Sequence, residues 1–166
     1  MIKTSKTLKG FTLIELLVTI SVISVVSSIL LISFGDDKAK KELETNARAF
    51  AGVAREAQNY ALTGKRVVAN SEPCRFQVSW GGSSYRIIYW YKNGAGNCNQ
   101  SSTYVTYELK NGVSFGNSSS FYYTLPFAAS SIPNVIAIEL NKSSLTHSIC
   151  AYKDGLILDL PGTNCP

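Results

Sequence analysis

The sequence predicts an α+β fold, with one long N-terminal helix packed on a C-terminal antiparallel β head. Three observations lead to this fold class. Residues 11–34 form an apolar run, residues 39–61 repeat apolar side chains at helical spacing, and short strand-like runs separated by turn residues follow residue 64. The segments expected from these patterns are residues 1–10, 11–35, 36–64 and 65–166.

The run from Phe11 to Phe34 contains 24 residues and a single charge, Glu15. As a helix it extends roughly 36 Å, which is enough to cross a hydrocarbon core of about 30 Å. A carboxylate in lipid costs roughly 2–3 kcal/mol or more unless it is paired. We expect nothing else in the segment to pair with Glu15, so its partner should lie on another chain or at a newly made terminus.

Lys3, Lys6 and Lys9 precede the apolar run. This asymmetry predicts that the leader stays on the cytoplasmic side and that the bulk of the chain lies outside. Removing residues 1–10, which carry these three lysines and no acid, lowers the net charge from +5 to +2. The basic composition is therefore mainly a signal of topology and only weak evidence for nucleic-acid binding.

The second part of the helix is predicted from apolar residues that recur every three or four positions. These residues are Ala39, Leu43, Ala47, Phe50, Ala54, Ala57 and Ala61. Gly64 is expected to end the helix, because glycine accepts the left-handed conformation found at helix ends. Gly35 is expected to mark the join with the apolar half, where it could kink the helix.

The β head is predicted as about seven to nine short strands, at 66–69, 75–80, 85–91, 103–109, 113–115, 135–140, 148–152 and 156–160. A hairpin loop is expected at 81–84 and a tight turn at 153–155. Residues 94–102 and 116–120, which are rich in glycine, asparagine and serine, are expected to form exposed loops.

The four cysteines, Cys74, Cys98, Cys150 and Cys165, all lie in the part expected to be exported. An even number outside the cytoplasm indicates disulfides, with three pairings open. We favour Cys74–Cys98 and Cys150–Cys165, since each pair closes a local loop and stabilises the fold by about 3 kcal/mol. Zinc is the competing interpretation, but the chain has no C-x-x-C motif and a single histidine.

The phrase KGFTLIELLV at residues 9–18 closely resembles the processing site of type IV pilins and of the pseudopilins of type II secretion. The resemblance implies that a prepilin peptidase cleaves after Gly10 and that Phe11 becomes the N-methylated first residue. It also implies that Glu15 pairs with the terminal amine of a neighbouring subunit in a helical filament. A secretory signal fits less well, because its apolar core is shorter and ends at small residues.

The same resemblance implies a pilin-like fold, with the C-terminal disulfide closing a loop as in many pilins. The head most resembles that of GspH/FimT-type minor pilins and pseudopilins, through ARAFAGVAREAQNYALTGKRVV at the helix end and the closing strands around KDGLILDL. The implied partners are the peptidase/N-methyltransferase, other pilin subunits and an inner-membrane assembly platform. The chain would first span the inner membrane once and then enter an extracellular or periplasmic filament.

No catalytic, phosphate-binding or cofactor motif is evident, so we expect no enzyme activity and no cofactor. His147 is the single histidine, and no acid is marked by the sequence to orient it. We expect a solvent-facing histidine at a strand edge. A basic motif that carries DNA binding in some related minor pilins corresponds to the apolar residues 155–158 here, so it cannot be carried over.

The cations of the head, which include Arg75, Arg86, Lys92 and Lys142, are scattered along the sequence. DNA binding is therefore kept as a less favoured alternative, because phosphate contacts need clustered cations. In the aromatic run at 89–91, alternation places Trp90 on the face opposite Tyr89 and Tyr91, so part of the run is expected in the core. The functional hypotheses are a minor pilin, a secretion pseudopilin, a DNA-uptake receptor and an adhesive subunit.

Overall fold

A computed structural model describes residues 11–162 and 165–166, and of residues 29–36 and 161 it describes the backbone alone. The predicted leader, residues 1–10, lies outside the described residues. The chain forms two compact units, Met1–Lys38 and Ala39–Pro166. One helix, α1, runs from Leu13 to Thr63 without interruption, and nine strands follow it. The predicted α+β fold with an antiparallel β head is confirmed.

In the first unit, the stretch of α1 between Leu13 and Val26 exposes apolar side chains around the helix, with Glu15 as its single charge. Between Leu13 and Val26 every leucine, isoleucine and valine is more than half exposed, from Val26 at 51% to Leu13 at 77%. The side chains of 29–36, which complete the predicted apolar run, lie outside the described residues. Within the part of the chain that is described, no helix combines the length and the hydropathy of a membrane span.

The part of α1 in the second unit is amphipathic, as predicted. All seven residues of the predicted apolar stripe are buried, and five of them, from Ala47 to Ala61, are completely inaccessible to solvent. Gly64 ends the helix with a φ of 62°, and the Lys65 amide donates to the Tyr60 carbonyl at 3.1 Å. This is the bond of a Schellman cap, in which the glycine accepts a conformation that strains other residues.

Two antiparallel sheets form the head. The first has the order β3-β2-β1-β5-β6, and its strands are β1 (Pro73–Gly81), β2 (Ser84–Lys92), β3 (Cys98–Glu108), β5 (Ser119–Thr124) and β6 (Ala129–Ser130). The second has the order β4-β7-β8-β9, with β4 (Ser114–Phe115), β7 (Val135–Lys142), β8 (Leu145–Tyr152) and β9 (Ile157–Pro161).

The core of the head forms where the alanine-rich stripe of α1 meets the sheets. Phe50 is completely buried, and its ring lies edge-on to the rings of Trp80, Tyr85 and Phe115 at centroid distances of 5.2–5.8 Å. Small alanines on the rest of the stripe let the strands approach the helix closely. Large aromatic residues on the sheets then fill the space beside them.

The strand predictions were correct for the main hairpins and wrong in three places. Residues 66–69 form no strand; Val67 and Val68 pack on the core from a loop that turns at Asn70, whose φ is 59°. The loop predicted at 94–102 is shorter, because β3 begins at Cys98. The expected loop at 116–120 overlaps β5, which the sequence analysis missed together with β6. Both strands exist because β5 pairs with the central strand β1.

Both disulfides that the sequence analysis favours are present in the structure. Cys74 is joined to Cys98, and Cys150 is joined to Cys165, with Cα–Cα distances of 6.2 and 5.6 Å. The first ties the start of β1 to the start of β3. The second ties the last residues of the chain to β8, so the C-terminus is covalently attached to the second sheet.

Candidate functional site

The first turn of α1 holds Glu15 by a reciprocal pair of hydrogen bonds with Thr12. The backbone amide and the hydroxyl of Thr12 both donate to the Glu15 carboxylate at 3.0 Å, and the Glu15 amide donates to the Thr12 hydroxyl at 3.3 Å. This is a capping box, in which Thr12 is the N-cap and the acid three residues later reaches back to it. Thr12 is therefore a hydrogen-bond partner of Glu15 within the segment, although it supplies no charge to pair with the carboxylate.

The capping box lies directly beside the predicted processing site. It holds the carboxylate of Glu15 at the N-terminal end of α1, where the orphan amides and the helix dipole favour a negative charge. Phe11 is 89% exposed and directly precedes the cap. Gly10, the predicted cleavage residue, lies outside the described residues. The cap uses neutral donors, so Glu15 keeps a net negative charge that a cationic partner can still neutralise.

Four of the hydroxyl side chains further along this part of α1 are satisfied by the helix itself. The hydroxyls of Thr19, Ser21, Ser24 and Ser28 each donate to a carbonyl three or four residues earlier, at 2.8–2.9 Å. Such bonds remove the need for water around a hydroxyl. The described surface of residues 13–28 is therefore compatible with an apolar environment except at Glu15 and at Ser27, whose hydroxyl makes no hydrogen bond to a described residue.

His147 lies in a different environment from the one the sequence analysis expected. It is 6% exposed, and its Nε2 contacts the carboxylate of Asp159 on β9. The other oxygen of Asp159 lies 3.6 Å from Nε of Arg48 on α1. The solvent-facing histidine was a wrong prediction, because β9 covers the ring. Among the described residues no hydroxyl or thiol is hydrogen-bonded to His147, so the group ties β8, β9 and α1 together without forming a catalytic triad.

A cluster of tyrosines at the end of α1 is another feature that the sequence did not reveal. Lys65 donates to the Tyr104 hydroxyl at 2.9 Å, and its ammonium lies 3.7 Å from the centre of the Tyr60 ring. The hydrogen bond from Lys65 lowers the pKa of Tyr104, while the hydrogen bond to Glu56 raises the pKa of Tyr60 to about 12. These contacts fasten the helix end to β3, and we assign them a structural role.

The cations considered for DNA binding separate into two groups. Lys92 pairs with Glu72, and Lys142 pairs with Glu42, so the charge of each lysine is already balanced by an acid. Arg75 and Arg86 instead lie on the solvent side of the first sheet, together with Trp90. Tyr89 is fully buried, and Tyr91 packs against the core, so the predicted alternation of the aromatic run is confirmed.

Metal-ligating side chains do not gather in the described part of the chain: it contains no group of three or more histidine, cysteine, aspartate or glutamate residues placed to hold an ion. The four cysteines are consumed by the two disulfides.

Comparison with known proteins identifies the N-terminal segment. Residues 6–31 match the family model described as the prokaryotic N-terminal methylation motif. The chain is also 35% identical over 94 residues to an uncharacterised protein of Aquifex aeolicus (strain VF5), an alignment that covers 52% of each protein. The chain thus spans about half the length of this curated relative. No solved structure matches the chain.

The motif includes the residues that the capping box organises. Gly10, Phe11 and Glu15 all lie within residues 6–31, and the described part of the motif is the exposed apolar start of α1. The motif is a signal shared by type IV pilins and pseudopilins, and it supports a subunit of that general kind.

Proposed function

We propose that this chain is a structural subunit, a minor pilin, of a type IV pilus-like filament. A prepilin peptidase removes residues 1–10 after Gly10, and the amine of Phe11 is then N-methylated. The observation that carries the proposal is the N-terminal methylation motif, which coincides with a helix that is apolar on every described side. An all-round apolar helix is stable only in lipid or among other such helices.

The helix has two environments in this proposal. Before assembly residues 11–35 span the inner membrane, with the N-terminus on the cytoplasmic side. In the extracellular or periplasmic filament the same residues join a bundle formed by other subunits. The internally bonded hydroxyls support both environments, since neither supplies water. An inner-membrane assembly platform transfers the subunit between them.

Glu15 is proposed to pair with the methylated amine of Phe11 on a neighbouring subunit. In a low-dielectric bundle an unpaired carboxylate is costly, and an opposite charge at contact distance offsets much of that cost. The capping box is compatible with this role because it fixes the carboxylate at the N-terminal end of α1 through neutral donors and leaves its charge for the neighbour's amine. A carboxylate has enough lone pairs to accept from Thr12 and from a second donor together.

Two variants separate charge pairing from simple helix capping. Glu15→Ala removes the charge, and we expect normal processing but no incorporation into filaments. Thr12→Val removes the capping hydroxyl and keeps the charge, so it should reduce helix stability by about 1 kcal/mol while incorporation continues. The measurement is the amount of processed chain in sheared filaments. Normal incorporation of Glu15→Ala, or equal loss in both variants, would contradict the pairing.

The processing step has its own test. We expect Gly10→Leu to keep residues 1–10 attached, and intact-mass measurement of the membrane-bound chain detects the difference. A Gly35→Ala chain serves as a control, because it changes a glycine outside the cleavage site. A Gly10→Leu chain with the same mature mass as the unaltered protein would show that cleavage occurs elsewhere.

A pseudopilin of a type II secretion system is the nearest alternative, since the same motif serves both kinds of subunit. Processed chain that stays in the membrane fraction and is absent from sheared filaments would favour it. DNA uptake is less favoured, because Lys92 and Lys142 are paired with acids. Absence of duplex binding at low ionic strength would eliminate a DNA-uptake role.

A further inference from the structure

The solvent side of the five-stranded sheet carries an unusual set of side chains, which we call the outer face. Strand pairing arranges nine of them in three rows, none of which is buried: Arg86, Ser79 and Ser120; Ile88, Gln77 and Tyr122; and Trp90, Arg75 and Thr124. The three rows contain no carboxylate. Acids adjoin the rows at both ends: Glu108 lies one row further, opposite Ser84, and Glu72 pairs with Lys92, two residues after Trp90 on β2.

Arg75 lies on the central strand β1, in the last of the three rows, and has no anionic partner among the described residues. Its guanidinium lies 4.0 Å from the centre of the Trp90 ring and 4.8 Å from that of the Tyr122 ring. Its Nε is buried and has no hydrogen-bond partner within the described residues. None of the ion pairs between described residues includes Arg75 or Arg86. A stacked guanidinium is fixed in orientation and presents its planar edge, which matches a carboxylate.

A polar pocket adjoins the row that contains Arg86. It has a volume of about 480 Å³, within the usual range of small-ligand sites. Its lining is mainly serine hydroxyls, together with Arg86 and the backbone around Gly81. A Cβ at residue 81 would lie 2.5 Å from the Ser118 hydroxyl, so glycine is what lets this serine reach the pocket.

We propose that the outer face binds an acidic polysaccharide. One sugar ring occupies the serine-lined pocket beside Arg86, and a uronate carboxylate further along the polymer pairs with Arg75. Arg86 lies opposite Ser79, four residues along β1 from Arg75, or about 13 Å. A ligand that contacts both arginines must therefore be a polymer. The Gln77 amide between them already accepts from Trp90 and donates to Ser120, so the sugar hydroxyls bond to the serine hydroxyls, which both donate and accept.

Charge density favours a polysaccharide over a nucleic acid. Nucleic-acid binding draws most of its affinity from several phosphate contacts and weakens steeply with salt when these are few. Two arginines supply too few contacts, whereas uncharged hydrogen-bonding groups are numerous on this face. The absence of acids within the three rows makes the face complementary to an anionic ligand that carries its charges far apart.

The first experiment measures binding to defined oligomers. The full-length chain, in micelles of a polyoxyethylene detergent that carries no sugar, is titrated calorimetrically with oligogalacturonate and with a neutral glucose oligomer of equal length. We expect saturable binding of the acidic oligomer and at least tenfold weaker binding of the neutral one. No binding of oligogalacturonate at low ionic strength, or equal binding of both oligomers, overturns the proposal.

The second experiment locates the site. Arg75→Gln and Arg86→Gln should each weaken binding roughly tenfold, the loss expected for one charge-assisted contact. Lys153→Gln, in the exposed turn between β8 and β9, is the matched control with the same charge change and should bind normally. Equal losses in all three variants indicate general charge attraction and overturn the site. If Arg75→Gln fails to fold, exposed Arg86 still tests the proposal.

Competition identifies the class of polymer. A single-stranded oligonucleotide with the same number of charges should not displace oligogalacturonate at equal concentration. Tighter, Arg75-dependent binding of the oligonucleotide assigns the face to nucleic acid and overturns the proposal. These binding results do not depend on processing or filament assembly, so they can fail while the proposed function stands.

Discussion

The hydroxyl of Tyr123 should destabilise the head, and Tyr123→Phe tests this directly. Tyr123 is completely buried on the core side of β5, and its hydroxyl has no hydrogen-bond partner among the described residues. Its ring packs edge-on against Phe121 at 5.5 Å, a contact that phenylalanine retains. Leaving a buried hydroxyl unsatisfied costs about 1–3 kcal/mol, so we expect Tyr123→Phe to raise the free energy of unfolding by about 1 kcal/mol at neutral pH.

Alkaline pH should enlarge the difference between the two chains. Burial raises the pKa of Tyr123 to about 12, compared with 10 for an exposed tyrosine. The unfolded chain therefore loses this proton at lower pH than the folded chain, and stability is lost as the pH rises from 10 to 12. At pH 11 this contribution is about 1 kcal/mol, which Tyr123→Phe lacks. Other tyrosines with raised pKa values are present in both chains and cancel.

The assay is urea unfolding of the full-length chain in detergent micelles, followed by circular dichroism of the β head at pH 8 and pH 11. At pH 8 the variant's midpoint should be higher by about 0.5 M. Tyr122→Phe is the matched control, because Tyr122 lies next in sequence on the opposite, half-exposed face of β5. A variant less stable than the unaltered chain at pH 8, or a difference that does not grow at pH 11, would refute the reasoning.

Three further perturbations test the packing of the head by the same unfolding assay. Phe50→Ala should lower the free energy of unfolding by about 3–5 kcal/mol, because the Phe50 ring is fully buried among aromatic residues. As the control, Phe127→Ala should change it by less than about 0.5 kcal/mol, because Phe127 is exposed. Similar effects of the two substitutions would contradict the placement of the core. Gly64→Ala should cost about 1 kcal/mol because of its positive φ, and an unchanged midpoint would argue against the helix cap. Replacing Cys150 and Cys165 together by serine should lower the free energy of unfolding by about 3 kcal/mol, since the disulfide joins residues 15 positions apart. An unchanged free energy of unfolding would show that the bridge does not constrain the unfolded chain.

Local patterns in the sequence were sufficient to predict the helix and its end. The alanine-rich stripe follows from side chains three and four residues apart, and the cap at Gly64 follows from the conformation of glycine. The hairpin of β1 and β2 is also local, although its turn is tighter than expected, because Gly81 and Ser84 still pair with each other. These features need no knowledge of distant parts of the chain.

Features that depend on distant pairing were not predicted. Strand β5 was missed because its main partner, β1, lies more than 40 residues earlier in the chain. The burial of His147 depends on Asp159 in β9, and the stacking of Arg75 depends on Tyr122 in β5. By contrast, alternation placed Trp90 on the face opposite Tyr89 and Tyr91, and the register of the local β1–β2 hairpin brings it beside Arg75.

The contact between Glu15 and Thr12 illustrates the same limit on a smaller scale. The charge of Glu15 predicted a partner on another chain. The T-x-x-E spacing of a capping box was also present in the sequence and was overlooked. Both interactions are compatible, because the cap leaves the charge of the carboxylate unneutralised.

The central claim is that the chain is processed after Gly10 and assembled into a filament through α1. The most direct test is quantitative mass spectrometry of filaments sheared from cells. The account predicts small amounts of a chain whose first peptide begins at N-methylated Phe11, and it predicts that this peptide disappears from the filaments of the Glu15→Ala strain. A chain that retains residues 1–10, in filaments or in the membrane, would contradict the account.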